Sequence, residues 1–269
     1  MIAYVRRQDR SLGTPPQVWA IPVATRVEEL VSRSPSGVPG STESRGPRLS
    51  ADGRFVTYRT AAPELGAAGN PWPQVVVTDR YAGTTALLSR AADGTPGSSL
   101  STLAQISGDG RWVAFTTFAD TLLAGDHNGL GDVAIARVDA SAPADSDSDG
   151  LADGWERDHF GSLDATASAD PDGDGQGNAD EQAARTSPRH VESVLRLQIS
   201  PEGVPLEVRW SGMAGVRYQL EHATHLNADS SWTPLGDPVT GYTGALRVSL
   251  PTATASGSLF LRLAAQPTP

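Results

Sequence analysis

The stretch PRLSADGRFVTYRT, residues 47–60, recurs further along the chain as AQISGDGRWVAFTT, residues 104–117. Each copy contains an apolar strand, a tight Asp-Gly turn and a second, alternating strand, which is the pattern of a β-hairpin. The Ser and Asp of these turns are interpreted as residues that stabilise the turn, not as catalytic groups. Further strands are predicted beside the two copies and in the opening of the chain: 74–80, 84–90, 132–138, 2–7, 17–23 and 27–33.

Four strands per unit, at a period of about 40 to 60 residues, are typical of a β-propeller blade. The segments LSADGR (49–54), ISGDGRWVAF (106–115) and GDHNGLGDVAIARV (125–138) resemble the TolB-like propeller repeats of bacterial envelope and secreted proteins. The resemblance covers about residues 1–140 and implies a partial propeller of two to three blades, fewer than the usual four to eight. We therefore expect the C-terminal remnant of a longer protein, whose bare strand edges make it self-associate or leave it partly disordered near its N-terminus.

The composition excludes several classes of function. The chain of 269 residues has a net charge of −10, and residues 145–181 alone carry twelve acidic side chains against one arginine. All 21 basic residues are arginine, and cysteine is absent, so disulfides and thiol sites are excluded. No long apolar run predicts a signal peptide or a membrane span, and no arginine-rich patch with interleaved aromatics predicts nucleic-acid binding.

The segment DSDSDGLADGWE, residues 145–156, matches the twelve-residue calcium loop position by position. Such a loop takes ligands from positions 1, 3, 5, 7, 9 and 12 and has glycine at position 6 for a sharp turn. Gly150 occupies the glycine position. The predicted ligands are Asp145, Asp147, Asp149, Leu151 through its carbonyl, Asp153 and Glu156.

A second match, DPDGDGQGNADE, covers residues 170–181 and has Gly175 at the turn. Its predicted ligands are Asp170, Asp172, Asp174, Gln176 through its carbonyl, Asn178 and Glu181. A solvated acidic linker would explain the charge, but not two glycines and two glutamates at matching positions. We therefore predict two bound Ca²⁺ ions. Short helices are predicted at 153–160 and 178–185, and no entering helix precedes the first loop.

Residues 145–188 resemble the thrombospondin-type and dockerin-like calcium repeats of modular bacterial surface proteins. The resemblance implies a tandem calcium-loop connector over 141–189 and an extracellular or cell-surface location. The segment GDHNGLGD, residues 125–132, offers Asp126, Asn128 and Asp132 as ligands for a third Ca²⁺. Its spacing departs from the twelve-residue loop, and Asn-Gly is a good turn sequence, so a turn is favoured there.

From residue 190 to 269, short alternating segments predict a small β-sandwich. The segments AGVRYQLEHATHLNADSSWTPLG and FLRL resemble C-terminal β-modules that follow such calcium linkers in bacterial secreted proteins. His222 and His225 lie on opposite faces of a strand, and with no third ligand nearby they do not favour a zinc site. The aromatic residues Trp210, Tyr218 and Trp232 could form a sugar-binding platform, but core packing is favoured.

These features predict a mainly β chain with three parts: a partial propeller (1–140), the connector (141–189) and a β-sandwich (190–269). The sequence has no G-x-S-x-G, H-E-x-x-H or phosphate-binding glycine loop, so we expect no enzymatic activity. The favoured function is a calcium-binding structural or interaction region of a modular extracellular or cell-surface bacterial protein. The alternatives are the non-catalytic part of a secreted hydrolase and a carbohydrate-binding adhesion module. Besides calcium, the expected partners are other protein domains or surface glycans.

Overall fold

The computed structural model describes residues 1–7, 14–122, 125–126, 128–200, 207–227, 230–250 and 259–268. Within them, 17 strands lie in antiparallel sheets and two α-helices have seven residues each, so the predicted mainly β fold is confirmed. The described helices are all too short to span a membrane. The chain divides into two compact units, Met1–Ala165 and Thr166–Pro269. The segment 141–189 is divided between them, with one acidic loop in each.

The first unit contains three antiparallel sheets, named I, II and III in chain order, in which consecutive strands pair. Sheet I has β1 (Ile2–Arg6), β2 (Gln17–Ile21) and β3 (Glu29–Leu30). Sheet II has β4 (Ser44–Leu49), β5 (Phe55–Thr60), β6 (Gln74–Asp79) and β7 (Thr84–Leu87). Sheet III has β8 (Ser101–Ile106), β9 (Trp112–Thr117) and β10 (Asp132–Arg137).

Strand β3 is shorter than the predicted segment 27–33. The backbone N–H groups of Val31 and Ser32 both donate to the carbonyl oxygen of Val18. Two successive donors on one acceptor interrupt the regular antiparallel ladder, in which each N–H has its own carbonyl. Regular pairing therefore ends at Leu30.

Consecutive sheets share apolar cores. The first core contains Val18 and Ala20 of sheet I together with Val56 and Tyr58 of sheet II. All four side chains are fully buried. Successive side chains along a strand point to opposite faces of the sheet. Every second residue of each strand can therefore pack against the neighbouring sheet.

The second core is formed by the equivalent positions of the next sequence repeat. It contains Val75 and Val77 of sheet II and Val113 and Phe115 of sheet III. Sheet II is therefore covered on both faces, by sheet I on one side and by sheet III on the other. The internal repeat of the sequence thus corresponds to a repeat of the sheet-to-sheet contacts.

A buried Gln–Ser network at the start of β2 was not anticipated from the sequence. The Gln17 amide nitrogen donates to the carbonyl oxygens of Gly40 at 2.8 Å and Thr42 at 3.0 Å. The Ser32 hydroxyl donates to Gln17 Oε1 at 2.6 Å and accepts a hydrogen bond from the Val18 N–H at 2.9 Å. The network fixes the segment that leads from sheet I to sheet II.

The same network recurs at the start of β6. The Gln74 amide nitrogen donates to the carbonyl oxygens of Gly97 at 3.2 Å and Ser99 at 2.9 Å. The Ser89 hydroxyl donates to Gln74 Oε1 at 2.7 Å and accepts from the Val75 N–H at 2.8 Å. The identical positions of the glutamine and serine in both repeats show that this network sets the connection between successive sheets.

Replacing Gln74 with leucine is expected to lower the free energy of unfolding of the first unit by about 2–3 kcal/mol. The loss arises because the buried Ser89 hydroxyl loses its acceptor and the carbonyl of Ser99 loses its donor, while the carbonyl of Gly97 keeps only its contact with the Asn70 amide. Urea unfolding measures the change, with Gln105→Leu as the control because Gln105 is exposed in β8. Equal losses in the two variants would contradict the role given to Gln74.

The second unit has two antiparallel sheets. One contains β11 (Gln198–Ser200), β12 (Glu207–Gly212) and β16 (Gly244–Ser249). The other contains β13 (Val216–Ala223), paired with β14 (Thr233–Pro234) and β15 (Val239–Thr240) on one side and β17 (Phe260–Pro267) on the other. Side chains of both sheets share one core, as expected of a small sandwich.

The aromatic residues considered as a sugar platform lie mostly in this core. Trp210 and Tyr218 are 3% and 0% exposed, and their rings meet edge to face with centroids 5.7 Å apart. The Arg262 guanidinium covers Trp232 at 4.5 Å from the ring centroid. The groups of three ligand-type side chains found in the described residues include neither His222 nor His225. The geometry thus agrees with core packing and gives a zinc site no support.

Candidate metal sites

The two acidic loops have the same backbone conformation. Their fourth positions have positive φ, 62° at Ser148 and 76° at Gly173. Their sixth positions do as well, 95° at Gly150 and 94° at Gly175. A positive φ costs about 1–2 kcal/mol for a residue with a β-carbon, and glycine avoids this cost. The matching pattern winds both loops tightly, which brings alternate side chains to one side.

Backbone N–H groups hold the aspartates of the first loop. Asp145 Oδ2 accepts a hydrogen bond from the Gly150 N–H at 3.2 Å, and Asp149 Oδ1 accepts one from the Leu151 N–H at 2.8 Å. The Asp153 N–H closes the loop on the carbonyl of Ala144 at 2.9 Å. These three bonds fix the aspartates at the first and fifth positions before any ion is bound.

The second loop repeats all three bonds. Asp170 Oδ2 accepts from the Gly175 N–H at 2.9 Å, and Asp174 Oδ1 accepts from the Gln176 N–H at 2.7 Å. The Asn178 N–H closes the loop on the carbonyl of Ala169 at 2.9 Å. The local sequence therefore gives the same loop twice, once in each unit.

In each loop the three alternate aspartates converge. One carboxylate oxygen from each of the three lies within 4.8 Å of those of the other two, and this holds for both sets: Asp145, Asp147 and Asp149, and Asp170, Asp172 and Asp174. Carboxylates at this spacing repel one another, and a cation between them removes the repulsion. The structure thus brings these six predicted ligands together as two acidic clusters that could hold a metal ion.

The glutamates at the twelfth positions lie on the helices that follow the loops. Helix α1 (Asp153–His159) and helix α2 (Asn178–Ala184) agree with the predicted helices and carry Glu156 and Glu181. Both side chains are 0% exposed, and their carboxylate oxygens form no well-aligned hydrogen bond with the described residues. The nearest donors, the Ala165 N–H beside Glu156 and the Thr186 hydroxyl beside Glu181, lower the two pKa values less than burial and the aspartates raise them. A buried carboxylate without well-aligned donors for both oxygens or a cation is strongly unfavourable. The fold therefore places one uncompensated glutamate beside each aspartate cluster.

Burial and the neighbouring aspartates raise the pKa of both glutamates. The pKa of Glu156 rises to about 7, first through burial and then through the charges of Asp147 and Asp149. The pKa of Glu181 rises to about 8, first through burial and then mainly through Asp172 and Asp174. The direction of both shifts shows that, without a cation, each site disfavours its own negative charge.

Four further ligand-position oxygens have no hydrogen-bond partner among the described residues. They are Asp149 Oδ2, Asp172 Oδ2, Asp174 Oδ2 and Asn178 Oδ1. Buried polar atoms in proteins are nearly always paired, so a group of such atoms at one site calls for a ligand. All of them are hard oxygens, the donors preferred by calcium and similar cations. The residues present therefore fit an oxygen-preferring metal ion.

Asp153, at the ninth position of the first loop, differs from its counterpart Asn178. Its Oδ1 accepts from the Ser146 N–H at 2.7 Å, and its Oδ2 accepts from the Ser146 hydroxyl at 2.8 Å and from Arg157 at 2.9 Å. Burial alone would raise the pKa of Asp153, but these partners lower it below its usual value. Because the ninth position often acts through water, Asp153 can serve the site indirectly.

The seventh positions are limited to their backbone carbonyls. The Leu151 side chain is fully buried. Gln176 Oε1 accepts a hydrogen bond from the Leu195 N–H at 2.9 Å. Their side chains are thus committed to packing and to a hydrogen bond, which is compatible with the carbonyl role predicted for both.

The segment 125–132 forms a turn in its described part. The Leu130 N–H donates to Asn128 Oδ1 at 2.7 Å, and the Asn128 N–H approaches Asp126 Oδ1 at 3.4 Å. Among the described residues, neither Asp126 nor Asp132 belongs to a group of three Asp, Glu, His or Cys ligands, and residue 127 lies outside the described part. The geometry agrees with the turn favoured from the sequence.

A buried arginine ties helix α1 to sheets I and II, which sequence reasoning missed. The Arg80 side chain is 3% exposed and forms two hydrogen bonds with Asp158, at 2.9 Å and 2.7 Å. It also contacts Glu29 at 2.7 Å and donates to the carbonyl of Gly53 at 2.9 Å. Since Asp158 lies just beyond Glu156 on the helix, the arginine holds the element that carries the first buried glutamate.

Tyr81 adds a second attachment for the first loop. Its carbonyl oxygen accepts from the Ala144 N–H at 3.0 Å. A β-carbon at Gly154 would lie 2.3 Å from Tyr81 Cδ1, so the helix approaches the ring too closely for any other residue. The glycine at the tenth loop position is therefore explained by this contact.

The second loop is attached to the sheets of its own unit. Arg185 ends helix α2 with a positive φ of 59°, and its Nη1 donates to the carbonyl of Ala214 at 2.7 Å. A β-carbon at Gly215 would lie 2.6 Å from the same Nη1 atom. Each acidic loop is thus built into a different unit of the chain.

No protein-family model matches the chain, and no curated protein is significantly similar to it. The candidate sites therefore stand on the geometry of their own residues.

In the absence of metal, the stability of the chain is expected to fall as the pH rises from about 4.5 to about 8. The folded-state pKa values of Glu156 and Glu181 lie above those of the unfolded chain. The folded state therefore binds more protons in this window, and the free energy of unfolding decreases with pH. Thermal unfolding in chelator at several pH values measures the slope. An unchanged slope in the Glu156→Gln, Glu181→Gln double variant would contradict this assignment.

Proposed function

We propose that this chain is a calcium-binding structural and interaction region of a modular extracellular or cell-surface protein, without catalytic activity of its own. The observation that carries the proposal is the pair of buried glutamates, each without a well-aligned hydrogen bond among the described residues and beside three converging aspartates. A Ca²⁺ ion takes six to eight oxygens, and its loops end in a glutamate that supplies both carboxylate oxygens. Glu156 and Glu181 are the residues that would complete the two sites.

Calcium fits these donors better than other common protein metals. The predicted ligands are carboxylate, amide and carbonyl oxygens, whereas zinc sites are built mainly from thiolate and imidazole. Magnesium demands near-ideal octahedral geometry and keeps several of its waters, so it is seldom held by such a loop. The larger coordination number and flexible geometry of calcium favour it here.

The ion's contribution is to neutralise the carboxylates that the fold crowds together. Residues 145–181 have a net charge of −11, and two dications would reduce it to −7. Extracellular modules bind calcium at about 0.1–1 mM, which suits a location where the ion is abundant. At about 2 mM calcium, a site with a dissociation constant of about 0.1 mM adds roughly 1.8 kcal/mol of stability. That amount orders a loop and a short helix on a sheet that is already folded.

The resemblances noted in the sequence support the same proposal. Residues 145–188 resemble calcium repeats of bacterial surface proteins, and residues 1–140 resemble TolB-like propeller repeats of envelope and secreted proteins. For a carbohydrate-binding adhesion module, the burial of Trp210 and Tyr218 removes two of the three aromatic residues that could bind sugar. The structural and interaction role is therefore the one we retain.

Calorimetric titration of the chelator-stripped chain tests the proposal. We expect two calcium ions to bind per chain, with magnesium as the control cation giving much weaker binding. The titration should be repeated at low pH, where protonated glutamates compete with the ion and weaken its binding. The absence of calcium binding below about 10 mM, well above the affinities of such loops, would overturn the proposal.

A further inference from the structure

Sheet III has an exposed apolar face. The side chains of Val133 and Ile135 in β10 are 73% and 70% exposed, and that of Trp112 in β9 is 49% exposed. The cleft beside them has a volume of about 570 Å³ and is lined in part by Ile106, Trp112, Ala114 and Ile135. Contiguous exposed apolar surface of this kind marks interaction sites in soluble proteins.

The internal repeat shows that this face corresponds to a buried one. Strand β6 begins with Gln74 opposite Thr60, and β10 begins with Asp132 opposite Thr117, so the two strands match residue by residue. Val133 and Ile135 therefore stand where sheet II has Val75 and Val77. Those two residues are 0% and 3% exposed because they share a core with sheet III. The exposed face thus continues the series of sheet-to-sheet interfaces within the first unit.

At the other end of the series of sheets, the outer face of sheet I is covered by polar and charged side chains. Ala20 contributes to the core with sheet II, so Trp19, the next residue along β2, faces away from sheet II. The Arg6 guanidinium lies 4.4 Å from the Trp19 ring centroid. Arg6 and the Tyr4 hydroxyl both hydrogen-bond to Glu28. Burying this charged layer against an apolar face would cost desolvation free energy, so sheet I is unsuited to covering sheet III of another copy.

We propose that the exposed face of sheet III is a two-fold dimer interface, in which the same face of a second copy of the chain covers it. A two-fold interface needs one patch that meets itself, and it is the commonest form of association between identical chains. Two copies with a net charge of −10 each repel one another at long range, but salt screens exposed charges beyond about 8 Å at physiological ionic strength, and the residues outside 145–181 have a net charge of only +1. This interface is independent of the calcium sites proposed above.

Sedimentation of the full chain in calcium, over a range of concentrations, tests the interface. We expect a monomer–dimer equilibrium and a rise of about a hundredfold in the dimer dissociation constant for Ile135→Glu, because a charge would be buried without a partner. The matched control is Ile2→Glu, since Ile2 is 56% exposed on sheet I. A monomeric wild-type chain at about 100 μM, well above the dissociation constants of specific dimers, would overturn the proposal. A dimer that Ile135→Glu leaves intact, or that Ile2→Glu weakens equally, would do the same.

A cross-linking experiment separates a two-fold dimer from a head-to-tail one. The chain contains no cysteine, so Val133→Cys introduces a single thiol at a position that is 73% exposed. In a two-fold dimer, both copies of this thiol lie at the shared interface, and a short bismaleimide should link them. Cross-linking of Ile2→Cys with efficiency equal to that of Val133→Cys would contradict the two-fold arrangement. Circular dichroism establishes that each variant is folded.

Discussion

Replacing Arg80 with methionine is expected to lower the free energy of unfolding of the first unit by about 3–5 kcal/mol. The reason is that Asp158, whose side chain is 9% exposed, would remain buried without its cation. The matched control is Arg33→Met, because Arg33 pairs with the same Glu29 at 3.3 Å while its own side chain is 43% exposed. Exposed pairs contribute about 0–1 kcal/mol, so the control should change stability little.

The same substitution is expected to weaken the first calcium site and to spare the second. Arg80 holds Asp158, which lies just beyond Glu156 on helix α1. A helix that is no longer held must be ordered when the ion binds, and an ordering cost of about 1.4 kcal/mol corresponds to a tenfold loss of affinity. Urea unfolding and calorimetry of Arg80→Met measure the two effects. Equal behaviour of Arg80→Met and Arg33→Met would show that the buried pair does not position the site.

The repeats and loops could be predicted because their causes are local. An Asp-Gly turn between alternating segments specifies a hairpin through backbone geometry alone. The two predicted hairpins are β4–β5 and β8–β9, and the next predicted strands, β6 and β10, pair beside them. The spacing of aspartates and glycine in residues 145–156 specifies a wound loop in the same way. The convergence of three aspartates and the short helix after each loop were therefore accessible from the sequence.

The Gln–Ser networks were missed although the sequence contained a signal. Gln17 and Gln74 are separated by the same interval as Ser50 and Ser107, whose spacing defined the repeat. Extending the repeat beyond the Asp-Gly turns would have identified these glutamines as equivalent. It would not have shown their partners, because the carbonyls they contact belong to irregular segments without a sequence pattern.

The ion pair between Arg80 and Asp158, which holds the helix after the first loop, had no signal in the sequence. Arg80 and Asp158 are far apart in the chain, and nothing local distinguishes them from exposed charges. For Asp153, in contrast, the sequence pattern predicts a role that the fold changes. Its position in the loop predicts a ligand, yet the neighbouring Ser146 and Arg157 occupy its oxygens. Pairing of charges depends on which segments the fold brings together, and local spacing does not contain that information.

Replacing Glu181 with glutamine is expected to have opposite effects without and with calcium. In chelator at about pH 8, the variant should be more stable by about 1 kcal/mol, because it lacks a buried carboxylate crowded by three aspartates. In calcium it should lose the second site, since a neutral amide supplies one weaker oxygen in place of two charged ones. Most substitutions at a structural residue lower stability under both conditions. The reversal of sign is therefore specific to a ligand that the fold holds in an unfavourable state.

Glu156→Gln should show the same reversal at the first site, and each variant should leave the other site's affinity unchanged. The independence follows from the attachment of the loops to different units, through Arg80 in one and Arg185 in the other. Asp180→Asn is the matched control for Glu181→Gln, because it removes one charge from an exposed neighbour on helix α2. Calorimetry gives the number of sites, and thermal unfolding with and without calcium gives the sign of each stability change. If Glu181→Gln lowered stability in chelator, or if Asp180→Asn also lost a site, then Glu181 would not be the ligand that completes the second loop.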